Sequence, residues 1–271
     1  MRPENRIPTG RLCRPKALLL DFGGVVVLTR HNPDWPERLA AHVAALLRDV
    51  GAADPRLPTP SIAADIRAAA IADSHWKNAM SRPYAPRELR HEEYWGDFVA
   101  ADWPAAARDA VVAEAAELCR VMGHLRSERT LRDGMLDLLD AARARSIPVG
   151  IVSNALAGQV HVDFLTEHGL LDRFAAIVHS DAVAMRKPNP GMIEYAAGLL
   201  SVAPADCWYV GDNYDRDVLC GRRAGVGGNI LMEARKTYDP PYDLDLRPDA
   251  IVADPVGLLA LFTGMTGEVA A

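Results

Sequence analysis

Four short runs of apolar residues punctuate the chain: "ALLL" at residues 17–20, "VGIV" at 149–152, "AAIVH" at 175–179 and "CWYV" at 207–210. "GGNILM" at 227–232 offers a fifth. Each is too short for a helix and lacks the alternation of a half-exposed strand, so both faces must be covered. Amphipathic stretches at residues 131–146, 158–169, 190–200 and 216–224 separate the later runs and predict helices. Strands alternating with helices in this way predict an α/β fold, a doubly wound parallel sheet.

After the first strand the rhythm changes. From Thr29 to Thr130 the pattern is helical and rich in Ala, with no convincing strand, and "ADPRLPTPS" and "SRPYAP" interrupt it. An insertion of about a hundred residues is too long for a loop in a compact domain, so it is expected to fold as a helical cap domain over residues 29–129. The core domain would comprise residues 17–28 and 130–262. Residues 1–16, with five basic residues broken up by Pro and Gly, read as a flexible arm, and residues 263–271 as a frayed tail.

Composition narrows the function classes. The chain of 271 residues is 49% hydrophobic and 24% charged, an ordinary globular balance. A formal charge of −6 gives no reason to expect nucleic acid or an anionic membrane as partner, and a small anionic substrate would need its own local positive site. No uncharged segment approaches the roughly 20 apolar residues that span a bilayer. Cys13, Cys119, Cys207 and Cys220 are far apart and form no C-x-x-C pair, so a reducing, cytoplasmic setting is the simpler expectation.

Candidate chemistry gathers just beyond the strands, where ligands bind in open α/β sheets. Asp21 ends the first run and precedes two glycines; alone, it would mark a turn. Ser153 and Asn154 follow the second, offering a hydroxyl and backbone N–H groups for phosphate oxygens, or simply a helix cap. Lys187, in "MRKPNP", can supply a point charge to a phosphate. "VGDNYDRD" then brings Asp212, Asp215 and Asp217 close in sequence. Clustered acids repel, so something must neutralise them, and Mg²⁺ is suited to a few carboxylates plus phosphate oxygens. Asp215 alone is also explained as a charge at a helix N-terminus.

The ordered set Asp21, Ser153, Lys187 and "GDNYDRD" resembles the haloacid dehalogenase superfamily of aspartate-nucleophile hydrolases, in the subfamily whose helical cap follows the first strand of a Rossmann-like core. The resemblance implies that Asp21 attacks phosphorus and forms an aspartyl phosphate. It implies Mg²⁺ held by Asp21, the backbone carbonyl of Gly23 and Asp212, with Asp217 acting directly or through water. Ser153, Asn154 and Lys187 would hold the phosphoryl group of a small phosphorylated metabolite, Lys187 also offsetting charge on the nucleophile. A monomer or homodimer is expected.

One position departs from the pattern. Phosphatases of this family commonly carry a second Asp two residues after the nucleophile, where this chain has Gly23. General acid catalysis typically contributes 10²- to 10⁴-fold, so its absence favours substrates with good leaving groups, such as sugar 1-phosphates. A metal-independent 2-haloacid dehalogenase, whose halide leaves without a proton, is the alternative, and a non-catalytic binding protein is a third. Substrate choice is expected to reside in the cap and its approach, where Arg30 and His31 are candidates for anion binding or proton donation. Residues 233–250 read as a polar surface loop whose Arg235 and Lys236 could face an anionic substrate, with a solvated loop the preferred reading.

Overall fold

The apolar runs fold as strands at the expected places, in a computed structural model of the chain that describes residues 12–264. In chain order the strands are β1 (Ala17–Leu20), β2 (Val27–His31), β3 (Ser127–Leu131), β4 (Val149–Ser153), β5 (Ala176–His179), β6 (Cys207–Gly211), β7 (Gly228–Met232) and β8 (Ala250–Val252). Six of them form one sheet in the order β5-β4-β1-β6-β7-β8, with every pairing parallel. Winding runs outward from β1 through β4 to β5, and from β6 through β7 to β8. The reversal therefore falls between β1 and β6, and a crevice opens there at the carboxyl edge.

Continuous apolar strands are explained by cover on both faces. On one face, Leu18 and Leu20 join Met135, Leu138, Leu165 and Phe262; on the other, Ala17 and Leu19 join Met192, Ile193 and Ala197. Each fully buried Leu, Ile or Met contributes about 1.5–3 kcal/mol relative to exposure. Among the described residues no helix is long and apolar enough to cross a membrane.

Between β2 and β3 the chain is helical and has its own core. The helices Trp35–Asp49 and Thr59–Ala79 carry apolar residues at helical spacing, Leu39, Val43 and Leu47 on the first and Ile62, Ile66 and Ala69 on the second. These gather with Trp95, Val111 and Leu118 into one cluster separate from the sheet's. A buried ion pair joins the helical part to the sheet: Arg186 Nη1 donates to Glu88 Oε1 at 2.6 Å, and Ser180 Oγ to Glu88 Oε2 at 2.5 Å. Arg186 directly precedes Lys187, so the pair anchors the segment that carries the candidate lysine.

Two strands lie where only helices are expected. β2 and β3 pair antiparallel from Val27↔Leu131 to His31↔Ser127, a two-stranded ribbon connecting sheet and helices. Only Val27 and Ser127 are buried and most of the other residues are exposed, so no apolar alternation announces it. β8 is a further addition, a three-residue edge strand too short to show a pattern. Residues 1–11 and 265–271, which include most of the expected arm and tail, lie outside the described residues. The last residues of the expected arm are tied down: Trp208 Nε1 donates to the Cys13 carbonyl at 2.9 Å, and Lys16 pairs with Asp206 at 2.9 Å.

Candidate active site

Three neighbouring strands deliver the first groups. Asp21 follows β1 directly, Ser153 ends β4, and Asp212 follows β6. Two glycines let the acids close in. A Cβ on Gly24, whose φ is +81°, would lie 2.3 Å from Asp212 Oδ2, and one on Gly211 would lie 2.2 Å from the Asp217 Cβ. Arg132 holds the turn after β1 by donating to the Gly24 carbonyl and, at 3.1 and 2.9 Å, to those of Glu233 and Ala253. Nothing in the sequence pattern distinguishes this arginine from a solvated charge.

Lys187 joins the acids. Its Nζ lies 2.8 Å from Asp21 Oδ1 and 2.7 Å from Asp217 Oδ1, and donates to the Tyr209 hydroxyl at 2.9 Å. An ammonium has three protons, and these three partners use them. Lys187 therefore serves here as counter-charge to the carboxylates, and the direct phosphate contact expected of it requires one of these bonds to exchange. The Asn154 side chain braces the same segment: its Oδ1 accepts from the Lys187 N–H at 2.7 Å and its Nδ2 donates to the Lys187 carbonyl at 3.0 Å. That side chain is committed to positioning Lys187. Ser153 lines the same cavity, and among the described residues no hydrogen bond engages its hydroxyl.

The acids differ in how they are neutralised. Asp217 accepts from Lys187 and from the Tyr209 hydroxyl at 2.6 Å on one oxygen, and from the N–H groups of Asp212 and Asn213 at 3.2 and 3.0 Å on the other. Burial pushes its pKa up, yet Lys187 and these donors hold it below the ordinary value. Asp215, which lies outside this cluster, is paired with Arg216 at 3.4 Å. Asp212 forms no ion pair among the described residues, and burial, with Asp217 and Asp21 nearby, pushes its carboxyl well above the ordinary range. Asp21 is raised too, by burial first, against the pull of Lys187.

Asp21, Asp212 and Asp217 each offer an oxygen within 4.8 Å of the others. An all-oxygen donor set with one acid outside any ion pair among the described residues fits a hard dication. Asp217 has little acceptor capacity left, so contact through water suits it better than direct ligation.

Two adjoining cavities open on this cluster. The inner one, of 210 Å³, is lined by Asp21, Ser153, Lys187 and His161; the outer one, of 610 Å³, lies between sheet edge, ribbon and helices. Gly23, Asp212, Asn213 and Arg216 border both. A Cβ on Gly23 would meet nothing within 4 Å, so its position faces open space. His161 stacks on Phe22 with centroids 4.0 Å apart, its Nδ1 has no hydrogen-bond partner among the described residues, and burial holds it neutral, well below its ordinary pKa. His31 lines the outer cavity, with Nδ1 3.0 Å from Ser127 Oγ. Arg30, its expected companion, lines neither: it is exposed and pairs with Glu128, its partner across the ribbon. Tyr209 and His161 are absent from the sequence-derived set, because one reads as strand core and the other as a position on an amphipathic helix.

A doubly wound sheet with acids at its switch point and helices inserted after the first strand defines an α/β protein with a carboxylate-based site. The chain belongs to the haloacid dehalogenase-like hydrolase family, whose model matches residues 15–225. It is 35% identical over 152 residues to a phosphoglycolate phosphatase of Xanthomonas campestris, a stretch covering 56% of this chain and 66% of that protein. It is 30% identical over 109 residues to a phosphoserine phosphatase of Thermus thermophilus, covering 40% of this chain and 43% of the relative. The chain thus spans less than two thirds of these curated relatives. A putative hydrolase of the same superfamily from Bacillus subtilis, in a magnesium-bound crystal structure, shares the fold with a TM-score of 0.55 at 17% identity, covering 92% of this chain and 99% of that one.

Proposed function

We propose that the protein is a Mg²⁺-dependent phosphatase that hydrolyses a small phosphomonoester through an aspartyl phosphate on Asp21. The observation that carries this reading is the carboxylate cluster beneath the inner cavity, in which Asp212 forms no ion pair among the described residues. Asp21, the Gly23 carbonyl and Asp212 would hold the cation, with Asp217 reaching it through water. When bound, the ion neutralises charge on the nucleophile and the phosphoryl group.

The chain's own groups account for the rest. An Asp21 oxygen forms a bond to phosphorus as the ester P–O bond breaks and the leaving oxygen departs with its electron pair; water then releases phosphate and restores the carboxylate. Ser153 donates its hydroxyl to a phosphoryl oxygen. Lys187 moderates the repulsion between Asp21 and Asp217 while the nucleophile approaches an anion. With Gly23 supplying no acid, esters with good leaving groups, sugar 1-phosphates among them, are the preferred substrates.

A screen of phosphate release across metabolite esters, with Mg²⁺ or EDTA and with Asp21→Asn as blank, tests the reading. Release that needs both the metal and Asp21 supports it. Halide release from a 2-haloacid in EDTA would replace it with a dehalogenase, and no turnover of either kind would leave a binding protein.

A further inference from the structure

The charges on the outer cavity fall into two sets. Lys77 is matched by Asp73 at 2.6 Å, Arg216 by Asp215 at 3.4 Å, and Asp212 belongs to the acid cluster. Arg126, Arg235 and Lys236 line the same wall and form no ion pair among the described residues; against them the wall offers Asp239. In a chain of net charge −6, a surplus of unpaired cations in one concavity is a local feature.

These cations converge. Burial first, and then Arg126, Arg235 and Lys236, lower the pKa of His31, so three separate charges reach one ring. Their supports are built. The Arg126 guanidinium lies over the Trp35 ring, 5.5 Å from its centroid. Arg235 and Lys236 belong to a strap after β7 that is fastened at two points. Thr237, 1% exposed, donates to the Asp212 carbonyl at 2.8 Å and accepts from the Ala234 N–H at 2.9 Å. Farther along, the Tyr242 hydroxyl donates to the Ser81 carbonyl at 2.9 Å, on the helical side of the cavity. The strap thus spans sheet and helices and presents its cations to the space between them.

We propose that the outer cavity receives a second anionic group, a carboxylate or a phosphate, at the far end of a substrate whose scissile phosphoryl group lies against Asp21. This rests on the phosphatase reading for the first anion only. A volume of 610 Å³ lies within the range of small-metabolite sites, roughly 300–1,000 Å³. The surplus of cations over Asp239 matches a dianion better than a neutral tail. Arg126 suits a planar carboxylate or a phosphate face, and Lys236 adds a movable point charge.

The test measures binding, so it does not depend on turnover. Alkyl phosphonates of increasing length are titrated calorimetrically into the full chain with Mg²⁺, beside the same series ending in a carboxylate or a second phosphonate. At one chain length the second anion tightens binding about tenfold or more, and comparing the two terminal groups identifies which anion fits. In Arg126→Gln/Lys236→Gln that preference falls by about the same factor; Arg235→Gln, at an exposed position, gives a smaller loss and covers the case in which the double variant does not fold. No preference at any length, or a preference that survives in folded variants, overturns the proposal. A chain that prefers double anions yet releases no phosphate from any ester would overturn the phosphatase reading and leave this one standing.

Discussion

The inner and outer cavities share a border and differ in how their charges are settled. Around the inner one, Lys187, Tyr209 and Asp217 fill one another's hydrogen-bonding capacity, and the exception, Asp212, faces the space a cation would take. Around the outer one, three cations remain without acid partners among the described residues. A network satisfied internally is rigid and indifferent to the organic part of a ligand, whereas unpaired charges on a strap and at a helix end are held for something that arrives. In the proposed reading, general phosphoryl chemistry and particular substrate choice fall to different walls of one cleft.

The largest effect comes from breaking the inner network. Lys187→Met leaves Asp21 and Asp217 buried beside each other without a counter-charge. Loss of one partner of a buried pair costs about 3–5 kcal/mol of stability. Urea unfolding should register that loss, and phosphate release should fall on the order of 10³-fold, beyond what the fraction unfolded explains. Unchanged stability would mean that the acids do not depend on this ammonium.

A smaller effect sharpens the comparison at the shared border. The open space at Gly23 accommodates a side chain, so Gly23→Asp places a carboxyl where a leaving group would depart. On esters with poor leaving groups the rate should rise by about 10²-fold, with little gain on aryl phosphates, so that the dependence of rate on leaving-group pKa flattens. An equal change on both classes would show that no proton was missing.

Much of the inner site is legible in the sequence, because strands covered on both faces are unbroken apolar runs and a charged residue just beyond one stands out. Asp21, Ser153 and Asp212 are found that way. Tyr209 is not, since an aromatic in the middle of "CWYV" is indistinguishable from core until its hydroxyl is seen against Lys187 and Asp217. Asn154 is found at the right place, but its side chain is turned to the Lys187 backbone, a partner 33 residues away that no local pattern reveals. The outer site is almost illegible. The ribbon lacks alternation because most of its residues are exposed, and the strap reads as a solvated loop because its fastening depends on Thr237 and Tyr242 finding partners distant in sequence.

That fastening supports the mildest of the tests. Thr237→Val keeps the shape of the side chain and removes the hydroxyl that donates to the Asp212 carbonyl and accepts from Ala234. A buried hydrogen bond contributes about 0.5–1.5 kcal/mol, and its carbonyl partner would be left to find water. Global stability should therefore fall by about that amount, read from urea unfolding. The two cavities should respond unequally. Loosening the strap lets Arg235 and Lys236 swing toward solvent, so the binding advantage of a second anion should shrink a few-fold, while release of phosphate from a simple aryl ester, which touches only the inner wall, should change less. Equal losses on both would mean that Thr237 matters mainly by holding the Asp212 backbone, and that the strap and the acid cluster act as one unit rather than as two walls with separate work.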